Sequence, residues 1–379
     1  MGRMVETGSQ GFIFGGFECS THRRADGRRL DMISATSHDR FAVKDYSRLS
    51  EFGIGAARDG LRWHLIESKP GKYDFSSADA QLKAAEMTGV RVIWDLFHYG
   101  YPDDLDIFSD EFRERFAAYA SEFALYHRKV TGRAPAIVPI NEISFYSWIA
   151  GEEGQFHPYA TGQGDELKIQ LVRAAIDGIK AVRAVEPEAL VLSSEPAVNV
   201  ISRPDEPWLA DEAENYRRSQ YQAIDMITGM LHPHLGGEPD LLDMIGVNYY
   251  PHNQWFYPDR EMIPVESDLY RPLSEILAEV YQRYDIPLLI SETGTEDDRR
   301  PAWFRYVLGE SRKAIEEGVD LRGICVYPIL NHPGWVDERH CYNGLWDYAT
   351  ENGDREIFEP LACEIRGGLG NTSAFRAAR

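Results

Sequence analysis

Eight short apolar runs rich in β-branched and aromatic residues recur along the chain, each followed by a polar turn and then a stretch with helical spacing. They are GFIFGGF from Gly11, IGAARDGLRW from Ile54, VRVIWDLF from Val90, AIVPIN from Ala136, ALVLSS from Ala189, LDMIGVNYY from Leu242, IPLLIS from Ile286 and LRGICVYPIL from Leu321. The segments between them are amphipathic. Phe112, Phe116, Tyr119, Phe123 and Tyr126 recur at steps of three and four and so share one helix face. Leu171, Ala175, Ile179 and Val182 do the same, as do Leu273, Ile276, Leu277, Val280 and Tyr284.

Strands that alternate with helices predict a parallel sheet, because parallel neighbours need long crossovers. Eight such units predict closure into a single (β/α)8 TIM barrel occupying residues 1–379, with 1–10 and 370–379 as loose termini. The closure follows from the count, since periodicity does not separate a barrel from a large doubly wound sheet. Segments 148–165, 199–217 and 251–270 read as longer loops rich in Pro, Gly, Asp, Trp and Tyr. In a barrel they follow strands four, five and six and overhang the face on which active sites are built.

Composition narrows the partners. The chain has 40 basic and 61 acidic residues, a net charge of −21, which disfavours nucleic acid and anionic membrane surfaces. No stretch approaches the roughly 20 apolar residues of a membrane span, and MGRMVETGSQ lacks the apolar core of a leader, so a cytoplasmic location is expected. Cys19, Cys325, Cys341 and Cys363 form no CxxC pair and are expected as reduced thiols. HExxH, GxSxG, a P-loop and a helix-opening GxGxxG are all missing, which removes the key parts of zinc peptidase, serine hydrolase, kinase and Rossmann readings. His232 and His234 flank a proline with no carboxylate cluster nearby, so a turn is expected there and no metal site. No cofactor is expected.

Two carboxylates stand directly after strands: Glu142 in IVPINEIS and Glu292 in LLISETGT. A strand-end glutamate in a barrel mouth must be desolvated and paired if ionised, so the placement points to function, although a salt-bridged structural residue is the alternative for either one alone. Glycoside hydrolysis needs such a pair, one carboxyl protonated to serve the leaving oxygen and one ionised to attack. Strands four and seven lie across a barrel mouth, where a spacing of about 5 Å would suit a retaining double displacement. Glu195, in LVLSSEPAV, ends strand five and is a third carboxylate there. It is open to a structural role, a sugar-hydroxyl contact or an aminosugar contact.

Asn141-Glu142 and the strand-seven Glu292 resemble the signatures of clan A retaining glycosidases, in particular glycoside hydrolase family 1, the β-glucosidase and β-galactosidase family. The likeness runs nearly end to end. FIFGGFECSTH resembles the family's first strand and puts His22 where a sugar-binding glutamine is usual; ARDGLRW puts Arg58 where the family has the arginine that holds the nucleophile. LFHYGYPDDL, with His98, resembles the strand-three turn, MIGVNYY, with Asn248 and Tyr249, strand six, and YPILNHPGWVDERHCYNGLWDY the strand-eight signature, with Tyr327 and Trp335 at sugar-stacking positions. The chain departs from the pattern at Ile143, at SETG, at His22 and at Tyr327, and it looks shorter than a typical member.

The resemblance implies Glu142 as acid/base, Glu292 as nucleophile with Arg58 and Tyr249 beside it, and Asn141 donating to a sugar 2-hydroxyl. Read without it, Arg58 could instead pair with Asp59 or Glu67, His98 could be a satisfied core histidine, and Trp335 a core lid. DERHCYNG carries no lysine, so an unphosphorylated sugar is expected. The sequence therefore predicts a retaining β-glycoside hydrolase acting on a small carbohydrate. Two alternatives stand beside it: a transglycosidase with the same glutamates, and a non-catalytic sugar-binding barrel.

Overall fold

A computed structural model describes residues 11–370. Eight parallel strands close into a barrel: β1 (Ile13–Gly16), β2 (Ala56–Gly60), β3 (Arg91–Phe97), β4 (Ala136–Ile140), β5 (Leu190–Pro196), β6 (Met244–Asn248), β7 (Leu288–Thr293) and β8 (Leu321–Val326). Six lie within the apolar runs expected for them, β5 and β7 each run two residues past theirs, and β8 pairs with β1 through Ile13 opposite Ile324 to complete the circle. The expected termini fall outside the described residues, except for Gly370, which ends the last helix.

The helices bury the faces that spacing predicted. Asp110–Thr131 is capped by Ser109, whose hydroxyl accepts from the Phe112 N–H, and stops at Gly132, where φ is 69°. Its Phe112, Phe116, Tyr119 and Phe123 are buried, and it packs against Gly164–Val185, which buries Leu171, Ala175, Ile179 and Val182. Leu273–Tyr284 buries Leu273, Ile276, Leu277 and Val280 in the same way.

Inside the barrel the floor is apolar and the top is polar. Phe14, Ala56, Ile93, Val138, Leu192, Met244, Leu289 and Cys325 form one layer. Two residues further along the same strands, alternation brings Arg58, Asp95, Ser194 and Ser291 to the inside near the mouth. At β7 the register slips: Val247 pairs with Ile290 and Asn248 with Glu292, so one extra residue is accommodated on β7. This irregularity lets both Ser291 and Glu292 reach the interior, where strict alternation would send one of them outward.

The overhanging segments are more ordered than loops. Segment 199–217 contains a short strand, Asn199–Ser202, and most of a helix, Ala210–Arg218. Segment 251–270 contributes Gln254–Tyr257, which pairs in parallel with Asn199–Ser202. The connection after β8, reaching to the helix at Glu359, is a further long excursion that was not among the expected long loops. It is anchored by Arg355, which reaches Asp45 at 2.7 and 3.0 Å and the Thr36 carbonyl at 2.8 Å. Beside it His38 lies fully buried between two carboxylates, Asp45 at 2.9 Å from Nδ1 and Asp59 at 3.0 Å from Nε2. Both ring nitrogens thus face acceptors, and the imidazole pKa is raised to about 9: burial lowers it, and Asp59 and Asp45 outweigh that.

Candidate active site

The barrel mouth opens into a cavity of about 1120 Å³, lined at its floor by Glu18, His98, Tyr99, Glu142, Glu292 and Tyr327. Glu142 and Glu292 share this cavity, and their surroundings differ. Glu292 Oε1 accepts from Arg58 Nη1 at 2.6 Å and its Oε2 from the Tyr250 hydroxyl at 2.8 Å. Among the described residues no cation contacts Glu142: Oε2 accepts from the Tyr99 hydroxyl at 2.7 Å and Oε1 from Asn248 Nδ2 at 2.9 Å. Its backbone is left-handed, with φ 45° and ψ 60°. A non-glycine residue held there costs on the order of 1–3 kcal/mol, strain of the kind found at functional sites.

Burial raises the pKa of Glu142 to about 8, helped by the charge of Glu292. Glu292 is also raised by burial, but Arg58, His98 and Tyr250 pull it down. Two carboxyls that interact this closely titrate as a pair. The pair's proton belongs on Glu142, because the one guanidinium contacts Glu292.

Arg58 organises the floor. It is wholly buried, and all five of its N–H groups have acceptors. Nε and Nη2 grip Asp95 at 2.9 and 2.7 Å; Nη2 also reaches Asn141 Oδ1 at 2.6 Å, and Nη1 serves Glu292 and, at 3.2 Å, the Ser291 carbonyl. It therefore pairs with neither Asp59 nor Glu67. With Oδ1 fixed by Arg58, the Asn141 amide turns Nδ2 toward His98 Nε2 and the Tyr99 hydroxyl, both at 3.1 Å. His98 Nδ1 stands 2.8 Å from Asp95; burial lowers the imidazole pKa, but Asp95 and Glu18 outweigh that and raise it above its ordinary value.

Asn141 and Asn248 are fully buried. Asn248 Oδ1 accepts from Ser194 at 2.9 Å and Ser291 at 2.6 Å, which aims its amide N–H at Glu142. Glu195 accepts from the Ile143 and Ser144 N–H groups at 2.6 and 3.1 Å. It caps the turn that carries Glu142 and is not among the residues lining the cavity. Its pKa is nevertheless raised to about 7, because burial outweighs the pull of Ser144 and Ile143.

Two expected placements need correction. Tyr249 is not beside Glu292: its hydroxyl bonds Tyr270 and Gln254 at 2.7 Å each, and its ring stacks on Trp303. Met244, Gly246 and Asn248 face inward by alternation, so Tyr250 follows them in and Tyr249 points out toward the helices. His22 likewise stands behind the wall. Its ring stacks on Phe156 at 4.0 Å and meets Trp335 edge-on at 5.3 Å, and burial lowers its pKa to about 3. The residue from the β1 turn that enters the cavity is Glu18.

Tyr327 and Trp335 both line the cavity, Tyr327 with its ring 5.4 Å from the Arg58 guanidinium carbon. The lining also includes Trp148, Tyr216, Trp255 and Met262 among charged residues, with Arg260 stacked over Trp148 at 4.8 Å. Cys19, Asp95 and His98 bring a thiol, a carboxylate and an imidazole within 4.8 Å of one another. Asp95 is already committed to Arg58 and to His98, and burial raises the Cys19 thiol well above its usual range, so the trio reads as a hydrogen-bonded cluster. Among the described residues no helix is long and apolar enough to cross a membrane.

No protein-family model matches the chain, and no curated protein matches its sequence. Solved structures do match its coordinates. A family 1 β-glucosidase from Thermotoga maritima superposes with a TM-score of 0.75 at 16% identity, covering 99% of both chains. The same enzyme in complex with glucoimidazole gives 0.75 at 16% identity, over 96% of this chain and 97% of that one. The fold is that of the family 1 β-glucosidases. The virulence factor SghA, solved with its substrate analog salicin, is similar at TM-score 0.76 and 18% identity, over 94% of this chain and 95% of that one.

Proposed function

We propose that the protein is a retaining hydrolase of small, unphosphorylated β-glycosides. The observation that carries this reading is the pair of buried glutamates in one cavity, one held by a guanidinium and one that, among the described residues, no cation contacts. The first is set up as a carboxylate and the second as an acid, the division of labour that glycoside hydrolysis requires.

In the first step Glu292 attacks the anomeric carbon and the bond to the leaving oxygen breaks, while the Glu142 proton passes to that oxygen. In the second, Glu142, now a carboxylate, takes a proton from water; the water oxygen bonds to the anomeric carbon and Glu292 leaves as a carboxylate. Asn248 and Tyr99 hold Glu142 through both steps, and Arg58 and Tyr250 receive the charge that returns to Glu292. The similar structures support the reading, since they include a β-glucosidase in complex with glucoimidazole and the virulence factor SghA with its substrate analog salicin. The test is a Glu292→Gln variant assayed on aryl β-glycosides. Turnover should drop to background, and retention of more than a few per cent of wild-type rate would overturn the assignment.

A further inference from the structure

Among the described residues Glu18 is the one buried carboxylate lining the cavity that the mechanism leaves unused. It is 6% exposed and lines the cavity floor. Glu142 and Glu292 each have both oxygens engaged by donors on two different side chains, but among the described residues the donors to Glu18 come from Ser20 alone, whose N–H reaches Oε1 at 2.9 Å. Its closest imidazole contact, His98 Nε2, stands 3.9 Å away, beyond a hydrogen bond. It is nevertheless held ionised: burial raises its pKa, but His98, His332 and Ser20 outweigh that and set it below the usual range. A carboxylate offers about four acceptor sites, and a buried one with most of them empty is costly unless donors arrive from elsewhere. His332 does not supply them. Its Nδ1 is turned to the Pro333 carbonyl at 2.8 Å, and its Nε2 to the Asn343 amide at 2.9 Å.

We propose that Glu18 is the glycon-selecting residue of this chain, taking hydrogen bonds from two adjacent hydroxyls of the sugar ring bound over Glu292. The proposal rests on the glycosidase reading and adds a substrate class: a neutral glycon with a free vicinal hydroxyl pair. A carboxylate suits such a pair because its two oxygens can each accept one O–H, and it repels glycons bearing a carboxylate or phosphate at that edge.

The test is a coupling experiment. kcat/KM is measured for an aryl β-glycoside that the wild type cleaves and for its monodeoxy analogues at each ring hydroxyl, in wild type, Glu18→Gln and Glu18→Ala. In the wild type, deletion of either of two neighbouring hydroxyls should cost about 10- to 150-fold, the worth of a hydrogen bond to a charged group. In Glu18→Ala the same deletions should cost less than about threefold, while deletions elsewhere keep their wild-type effect. Glu18→Gln, nearly the same size, should fall in between and guards against a folding defect in the alanine variant. If each deletion costs the same factor with and without the Glu18 carboxylate, the residue is structural and the proposal is overturned. Preference for an amino group over a hydroxyl at the coupled position would also overturn it, since Glu18 would then be a cation site. A wild type that cleaves no glycoside would instead sink the glycosidase reading itself.

Discussion

Replacing Tyr250 by phenylalanine should disable the nucleophile's environment, whereas the same change at Tyr249 should not. The Tyr250 hydroxyl lies 2.8 Å from Glu292 Oε2, and Tyr250 is, among the described residues, one of two side chains that donate to that carboxylate. A hydrogen bond to a charged group contributes about 1.5–3 kcal/mol, and 1.36 kcal/mol corresponds to one pKa unit. Its loss should therefore raise the pKa of Glu292 by about one to two units. In a pH profile of kcat/KM on an aryl β-glycoside, the limb on which Glu292 must be ionised should move up by that amount. Well below the limb, activity should be about 10- to 150-fold lower than wild type. Tyr249→Phe removes bonds to Tyr270 and Gln254 on the outer side of β6, so its effect should be on unfolding, about 1–3 kcal/mol, with the limb in place. A Tyr250→Phe profile that superposes on wild type, or a Tyr249→Phe profile that shifts equally, would refute the reasoning.

Three further outcomes follow from the same coordinates. Glu142, raised to about 8, must be protonated to act as acid, so kcat/KM should fall as pH rises through about 8. Glu142→Gln should lose that limb and should retain more activity on leaving groups that need no proton. Arg58→Met would leave Asp95 and Glu292 buried without their cation and should cost about 3–5 kcal/mol in urea unfolding, far more than an exposed arginine change. His38, near 6.5 unfolded and raised to about 9 in the fold, contributes stability that is fully present below pH 6.5 and lost as pH rises through 9, about 3 kcal/mol in all. Thermal unfolding should show that slope in the wild type and lack it in His38→Gln.

The strand and helix framework was legible because each strand pairs an apolar run with a turn and each helix shows a full apolar face, as in Phe112, Phe116, Tyr119 and Phe123. The overhanging segments were not, because Asn199–Ser202 and Gln254–Tyr257 are short, polar and mutually dependent: neither is a strand without the other. At the site, motifs singled out Glu142, Glu292, His98 and Arg58; the first three line one cavity and Arg58 contacts Glu292. What they missed was decided by parity and by turns. Counting inward from Met244 would have selected Tyr250 over Tyr249, and counting from Ile93 would have added Asp95. Glu18 and Tyr99 lie past the ends of β1 and β3, where strand parity no longer says which way a side chain points. Glu292 itself depends on a slip in register that no local pattern announces.

The division of roles between the two glutamates can be tested by trapping. Incubation with 2-deoxy-2-fluoro-β-glycosyl fluorides of several sugars, followed by intact mass and peptide mapping, should find one fluoroglycosyl group attached to Glu292. It should be absent from the Glu292→Gln variant. An adduct on Glu142 or Glu18, or no adduct from a sugar whose aryl β-glycoside the protein cleaves, would contradict the account.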